Sequence, residues 1–252
     1  KILQDKPLEE AVKISAEIGY NGIELFGLPN HLPVDIDLNR VRDLRKLGDD
    51  LGIKVVTLAT YVGGYSQLGD KECASQLESF KRYVEIAHIL NCDLIRQDPG
   101  GPTPDKARED HWLRSAYWLQ RVADYGLANE VNIVLENNFV LVATVDSTLK
   151  LIRLIDRPNV GINYDPGNIY RASDQYGAEA VRRFGKLIFN VQIKDADKTE
   201  GDNWKLLLGE GKVDYLSIFK ALKRMGYQGY YSAESHKEPT EGLDTVGIAR
   251  HE

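Results

Sequence analysis

The sequence is short of several things, and each shortage removes a class of protein. Two cysteines in 252 residues, Cys73 in a helix-like segment and Cys92 at a strand start, do not make a disulfide framework and fit a reducing compartment. No apolar run reaches the roughly 18 residues of a membrane span. Lys1-Ile2-Leu3-Gln4-Asp5 leads into a charged helix pattern rather than a signal peptide, so a cytoplasmic location is expected. Positive charge is not in excess: 32 Lys and Arg against 38 Asp and Glu leave a net charge of −6, which argues against a nucleic-acid partner. No Gly-x-Gly-x-x-Gly follows any strand-like run, which disfavours a doubly wound dinucleotide-binding sheet.

What is present is an ordinary globular composition, 42% apolar and 28% charged, with no internal shift to mark a second domain, so residues 1–252 read as one unit. Strand-like runs are expected at Gly22–Phe26, Lys54–Ala59, Asp93–Arg96, Asn132–Glu136, Val160–Tyr164, Leu187–Ile193 and Tyr230–Glu234. Helical periodicity lies between them, at Leu8–Ile18 before the stop signal Gly19, Asp37–Leu51, Glu72–Leu90, Asp105–Asn129, Thr148–Ile155 and Ala178–Lys186. Another helix is expected after the N-cap Asp214. Gly63-Gly64 and Pro99-Gly100-Gly101-Pro102 break the chain into loops, and Leu208-Gly209-Glu210-Gly211 falls in a polar loop. Strictly alternating βα units point to a parallel sheet. Seven strands with a helix pattern before the first predict a (β/α)8 TIM barrel lacking its first strand, and part of its last helix, in this sequence.

Such barrels carry their sites at the C-terminal ends of the strands. Those ends read Glu24, Glu136, Asp165, Gln192 and Glu234. Period-two alternation tests whether they can face the axis together. With Glu136, Asp165, Gln192 and Glu234 inward, Val134, Asn163, Asn190 and Ser232 form the layer beneath. Leu135, Tyr164, Val191, Ile193 and Ala233 then point outward to the helices. Three carboxylates converging in a barrel mouth need a cation between them. A divalent ion is the simplest one, and an all-oxygen set suits Mn²⁺ or Mg²⁺ better than Zn²⁺. The competing arrangement is a salt-bridge network with lysines and arginines at the barrel top.

The ordered motifs Gly19-Tyr20-Asn21-Gly22-Ile23-Glu24-Leu25, Leu135-Glu136-Asn137, Asp165-Pro166-Gly167-Asn168, Val191-Gln192-Ile193-Lys194-Asp195, Leu208-Gly209-Glu210-Gly211 and Gly226-Tyr227-Gln228-Gly229 span nearly the whole chain. Together they resemble the sugar phosphate isomerase/epimerase group of the xylose-isomerase-like TIM barrels. The resemblance implies one divalent metal, Mn²⁺ first with Mg²⁺ or Co²⁺ as alternatives, held by Glu136, Asp165, Gln192 and Glu234. Many members carry His where this chain has Gln192; glutamine there is similar to the hydroxypyruvate isomerase branch. The ketose 3-epimerase branch has a substrate-binding glutamate at the position of Val142, a departure that weakens a simple free-ketose epimerase assignment. The group also implies a small sugar or keto sugar as partner, no membrane, and an open expectation of a homo-oligomer.

The implied chemistry is proton transfer next to a carbonyl, through an enediolate, with Glu136 and Glu234 as the acid/base pair. Expulsion of a leaving group from the same intermediate would instead make a dehydratase or lyase acting on a keto sugar or inosose. Around these residues, Asn168 is expected either to bind a substrate hydroxyl or to satisfy the turn after its strand. Lys194 shares the inward face and binds a substrate oxyanion or phosphate, or pairs with Asp195 or another carboxylate. Glu24 is a substrate-binding or supporting group, and Arg96 a pocket or network residue. His236 is a substrate-binding residue or an exposed loop histidine, and Tyr61 a pocket-lining or packing residue. Trp112, Tyr117 and Trp118 read as helix-packing aromatics. Two rivals stand against an isomerase. An endonuclease IV-like hydrolase needs a histidine-rich zinc cluster, which His31, His88, His111, His236 and His251 do not supply. A non-catalytic sugar-binding or partner subunit would not need the intact Glu136 and Glu234.

Overall fold

The computed structural model describes every residue except Phe139, Glu200 and Asp202. Its elements run α1 (Leu8–Ile18), β1 (Gly22–Phe26), α2 (Leu38–Leu51), β2 (Lys54–Ala59), α3 (Asp70–Leu90), β3 (Leu94–Gln97), α4 (Glu109–Ala128), β4 (Asn132–Glu136), α5 (Val145–Ile155) and β5 (Val160–Tyr164). They continue with α6 (Pro166–Ala172), α7 (Ala178–Phe184), β6 (Ile188–Ile193), β7 (Asp195–Asp197), β8 (Asn203–Leu206), α8 (Tyr215–Met225), β9 (Tyr231–Ala233) and α9 (Thr245–His251). Seven strands pair in parallel in the order β1-β2-β3-β4-β5-β6-β9, a nearly closed TIM barrel with helices around it. Among the described residues no pairing joins β1 to β9, and a groove lined by Leu3, Ile23, Tyr231 and Ser232, among others, runs between these two edges.

Local chemistry sets the helix ends. Gly19 takes φ 103° and returns its N–H to Ser15 and Ala16 carbonyls, closing α1 with a residue that bears no Cβ penalty there. Asp37 caps α2 by accepting from the Asn39 N–H at 2.9 Å, so the expected helix starts one residue later than its cap. Outward-facing strand residues Leu135, Tyr164 and Val191 are fully buried against the helix layer, as their alternation requires. Truncating one such leucine to alanine costs about 2–5 kcal/mol.

Two features depart from the sequence reading. Pro166-Gly167, read as a turn, opens the short helix α6, with Asp165 as its N-cap and Pro at its first position. Part of the polar stretch before Leu208 forms the antiparallel hairpin β7–β8. The C-terminal stretch folds into α9 against α1. The last parallel strand is also shorter than expected and ends at Ala233, leaving Glu234 just beyond its tip.

Candidate active site

The ends of β4, β5 and β9 bring Glu136, Asp165 and Glu234 together, with ligand-type oxygens all within 4.8 Å of one another. All three are buried. The Asn137 side chain ties two of these ends together: its Nδ2 donates to the Asp165 carbonyl at 2.6 Å, and the Asp165 N–H donates to its Oδ1 at 2.9 Å. Asp165 divides its carboxylate between two tasks. Oδ1 caps α6 by accepting from the Asn168 N–H at 3.0 Å, and Oδ2 faces the Lys194 ammonium at 2.8 Å. Gly167 has to be glycine here, since a Cβ would lie 2.6 Å from the Lys194 carbonyl oxygen.

Two cations answer the three carboxylates. Arg96 pairs with Glu136 and also donates to the Thr60 carbonyl through Nε and Nη2, both at 3.2 Å. Lys194 Nζ reaches Glu234 Oε2 at 2.7 Å as well as Asp165. The arrangement therefore contains the salt-bridge network set against a metal in the sequence reading, and the same carboxylates remain a metal-capable cluster. Burial pushes the Asp165 pKa up to about 7, although Lys194 works against the rise; Glu234 and Glu136 add to it. Burial also opposes the charge on Glu234, yet Lys194 and His236 outweigh it and hold that carboxyl down at about 2. Burial is likewise the largest influence on Arg96 and Lys194, but the surrounding carboxylates raise both above their ordinary values.

Asp195 is not the partner of Lys194. Its Oδ2 accepts from the N–H groups of Gly209 at 2.9 Å and Gly211 at 3.0 Å, and Oδ1 from those of Ala196 and Val213. This explains the Leu-Gly-Glu-Gly motif as a backbone cradle: a Cβ on Gly211 would lie 2.1 Å from Asp195 Oδ1. The same cradle fixes the base of the hairpin.

One layer lower, Glu24 accepts from Asn190 Nδ2 at 2.5 Å, from Gln192 Nε2 at 2.9 Å and from the Ser232 hydroxyl. Asn190 Nδ2 also reaches Asn163 Oδ1 at 2.9 Å, so the expected lower layer does face inward. Burial raises the Glu24 pKa, and these neutral donors only partly counter it. Register is offset between strands: Glu136 pairs with Asn163 rather than Asp165, Gln192 with Ser232 rather than Glu234, and the Glu234 N–H bonds the Ile193 carbonyl. Neighbouring barrel strands are staggered, so alternation along one strand gives direction but not height on the next. With Nε2 committed to Glu24, Gln192 Oε1 is buried without a hydrogen-bond partner among the described residues. An orphaned amide oxygen on β6, the strand between those that lead to Asp165 and Glu234, adds to three carboxylates a donor of the kind a hard divalent cation takes.

A cavity of about 510 Å³ opens on this cluster, with Tyr61, Arg96, Glu136, Asn168, Lys194, Glu234 and His236 in its wall. Asn168 Nδ2 donates to Glu136 Oε1 at 3.2 Å while its backbone joins the cap, so it satisfies the turn after its strand and also orients Glu136. Tyr61 is 53% exposed at the cavity wall, with the Arg96 guanidinium 5.0 Å from its ring centre. His236 is not an exposed loop residue. Trp204 of β8 covers it edge-on, ring centres 4.4 Å apart, and burial with nearby Lys194 drops its pKa to about 3. Tyr117 is 47% exposed under Arg121, unlike the buried Trp112 and Trp118. Sequence reasoning missed Asn137, Thr60 and Trp204. Asn137 was findable as the second polar residue at a strand end; Trp204 lies on the unforeseen hairpin.

Residues 12–250 match the model of the xylose isomerase-like TIM barrel family. An uncharacterized protein of Methanocaldococcus jannaschii is 33% identical over 207 residues, covering 77% of this chain and 69% of that protein. Fructoselysine 3-epimerase of Shigella flexneri is 21% identical over 243 residues, covering 92% of this chain and 86% of the epimerase. Among solved structures, the IolI protein with a bound zinc atom superposes with a TM-score of 0.81 at 21% identity, covering 99% of this chain and 91% of that one. The chain belongs to the xylose isomerase-like TIM barrel family.

Proposed function

We propose that the protein is a divalent-metal-dependent sugar isomerase or epimerase that moves a proton next to the carbonyl of a keto sugar or related α-hydroxycarbonyl compound. One observation carries the reading: the buried triad Glu136, Asp165 and Glu234, drawn within 4.8 Å, at a cavity of about 510 Å³. That volume lies in the roughly 300–1,000 Å³ range of small-molecule sites. The named epimerase among its relatives and the zinc in IolI support it as family likenesses.

Glu136, Asp165, Glu234 and the amide oxygen of Gln192 would hold the ion, and this hard oxygen set favours Mn²⁺ or Mg²⁺. A divalent ion there supplies Lewis-acid stabilisation of charge developing on substrate oxygens. The chain's own residues do the rest. Glu136 and Glu234, from different strands, form the acid/base pair that takes and returns the proton. Arg96 and Asn168 orient Glu136. Return of the proton to the opposite face of the same carbon gives epimerisation, and return to the neighbouring carbon gives isomerisation. Tyr61 and His236 line the path by which the sugar enters, and Glu24 keeps the Gln192 amide turned with its oxygen free.

The test is α-proton exchange in D₂O, followed by NMR across a panel of keto sugars with Mn²⁺-loaded protein. Exchange with at least one sugar, and inversion or transposition of its product, is the expected result. Loss of a hydroxyl from the product would identify a dehydratase instead. Bound metal with no exchange across the panel contradicts the reading.

A further inference from the structure

Lys194 sits where a cation of the site belongs. Its ammonium lies 2.8 Å from Asp165 Oδ2 and 2.7 Å from Glu234 Oε2, between carboxylates that a divalent ion would also need. Bonds from carboxylate oxygens to hard divalent ions are about 2.0–2.6 Å long. An ion sharing these two oxygens would therefore be in contact with Nζ, cation against cation. The two occupancies exclude each other.

We propose, building on the metal-dependent reading above, that Lys194 is a displaceable stand-in for the divalent ion. In the metal-free protein its ammonium cross-links Asp165 and Glu234. When the ion binds, the ammonium is driven into the cavity and becomes a cation that faces the oxygens of the substrate.

Three observations point to Lys194 rather than Arg96 as the group that moves. The first is charge. Three carboxylates against Arg96 and Lys194 leave one formal negative charge; a divalent ion turns this to one positive and makes the cations repel. The second is anchoring. Arg96 is tied to the backbone at the Thr60 carbonyl, whereas Nζ meets only site groups among its described partners: Asp165, Glu234 and His236 Nε2 at 3.5 Å. The third is room. Lys194 already borders the cavity, on a flexible four-carbon stem. Its backbone stays fixed, since the Tyr215 hydroxyl accepts from the Lys194 N–H at 2.9 Å and donates to its carbonyl at 2.6 Å. Only the side chain needs to swing.

The experiment measures reductive methylation of Lys194 by mass spectrometry, with and without saturating Mn²⁺, alongside calorimetric Mn²⁺ binding to wild type and to Lys194→Met. The amine is expected to label slowly in the metal-free protein and roughly ten- to a hundredfold faster with Mn²⁺, the factor for losing one charge-assisted hydrogen bond. Lys194→Met is expected to bind Mn²⁺ more tightly by a comparable factor, since no ammonium has to be displaced. Labelling that Mn²⁺ leaves unchanged or slows, with Mn²⁺ demonstrably bound, overturns the stand-in role and spares the metal reading. Affinity in Lys194→Met equal to or weaker than wild type also overturns it. Absence of Mn²⁺ binding in both proteins removes the metal reading and the stand-in role together. The labelling arm uses wild-type protein, so it decides even where the variant does not fold.

Discussion

Two carboxylate sites, one buried and one half-buried, sit one above the other in this barrel, and they are built on opposite plans. The upper one, Glu136, Asp165 and Glu234, is answered by full positive charges from Arg96 and Lys194. The lower one, Glu24, is answered by neutral donors from Asn190, Gln192 and Ser232. The chemical consequence shows in the pKa values: Lys194 and His236 pull Glu234 down to about 2, whereas burial pushes Glu24 up and, against Lys194, Asp165 to about 7. A carboxylate held by a cation on a flexible stem, as Glu234 is by Lys194, stays charged and can exchange its partner for a metal or a substrate. One held by amides is a fixed support whose task is to orient its neighbours. Burial raises Glu24 and Asp165 alike; the cations around Glu234 are what separate it from both.

The comparison can be broken at each plan. Removing the metal with a chelator should have the largest effect, lowering α-proton exchange by about a thousandfold or more, several kcal/mol of lost transition-state stabilisation. Readdition of Mn²⁺ should restore it, as NMR in D₂O will show. Next comes Arg96→Met, which leaves Glu136 without its cation. In the metal-free protein it should cost about 3–5 kcal/mol of unfolding free energy by denaturant titration, the cost of breaking a buried pair from one side. Asn137→Ala cuts the two-way clamp between the ends of β4 and β5; about 1–3 kcal/mol should be lost, with weaker Mn²⁺ binding by calorimetry.

The smallest effect should come from Glu24→Gln, and its signature is a slope rather than a loss. A raised folded pKa means the native state holds the Glu24 proton more tightly than the unfolded chain does. Its contribution is therefore fully present below the unfolded value near ~4.3 and declines as pH rises through the raised value. Glu234 has the opposite sign: its contribution is present above about 4.3 and lost as pH falls toward about 2. In metal-free protein, the decline of unfolding free energy with rising pH should become shallower in Glu24→Gln, the share from Asp165 remaining, and the acid limb should be kept. A decline as steep as in wild type would place the second raised group elsewhere than Glu24.

Much of this was legible in the residues, and the exceptions have physical causes. Strand runs such as Gly22–Phe26 and Asn132–Glu136 agree with the structure residue for residue, because short β-compatible stretches bounded by glycine or asparagine leave little choice of extent. The inward direction of Glu136, Asp165 and Gln192 follows from alternation. The pairing of Gln192 with Ser232 and of Glu136 with Asn163 does not, because the stagger between strands is a property of barrel closure. Helix α6 was hidden because its seven residues open with Pro-Gly, a turn signal that also serves as a helix start when an aspartate caps it. The hairpin β7–β8 was hidden because its strands are short and polar, and what it covers was hidden with it. His236 reads as a loop histidine until Trp204 folds over it.

The central claim is that the cation-held carboxylates are the ones that move the proton. Its most direct test is Glu234→Gln, loaded with Mn²⁺, incubated with the sugar that wild type turns over in D₂O. The expected result is retained metal by elemental analysis with α-proton exchange lowered by about a hundredfold or more, the share a positioned acid/base group supplies. Metal retained with exchange at the wild-type rate would contradict the account.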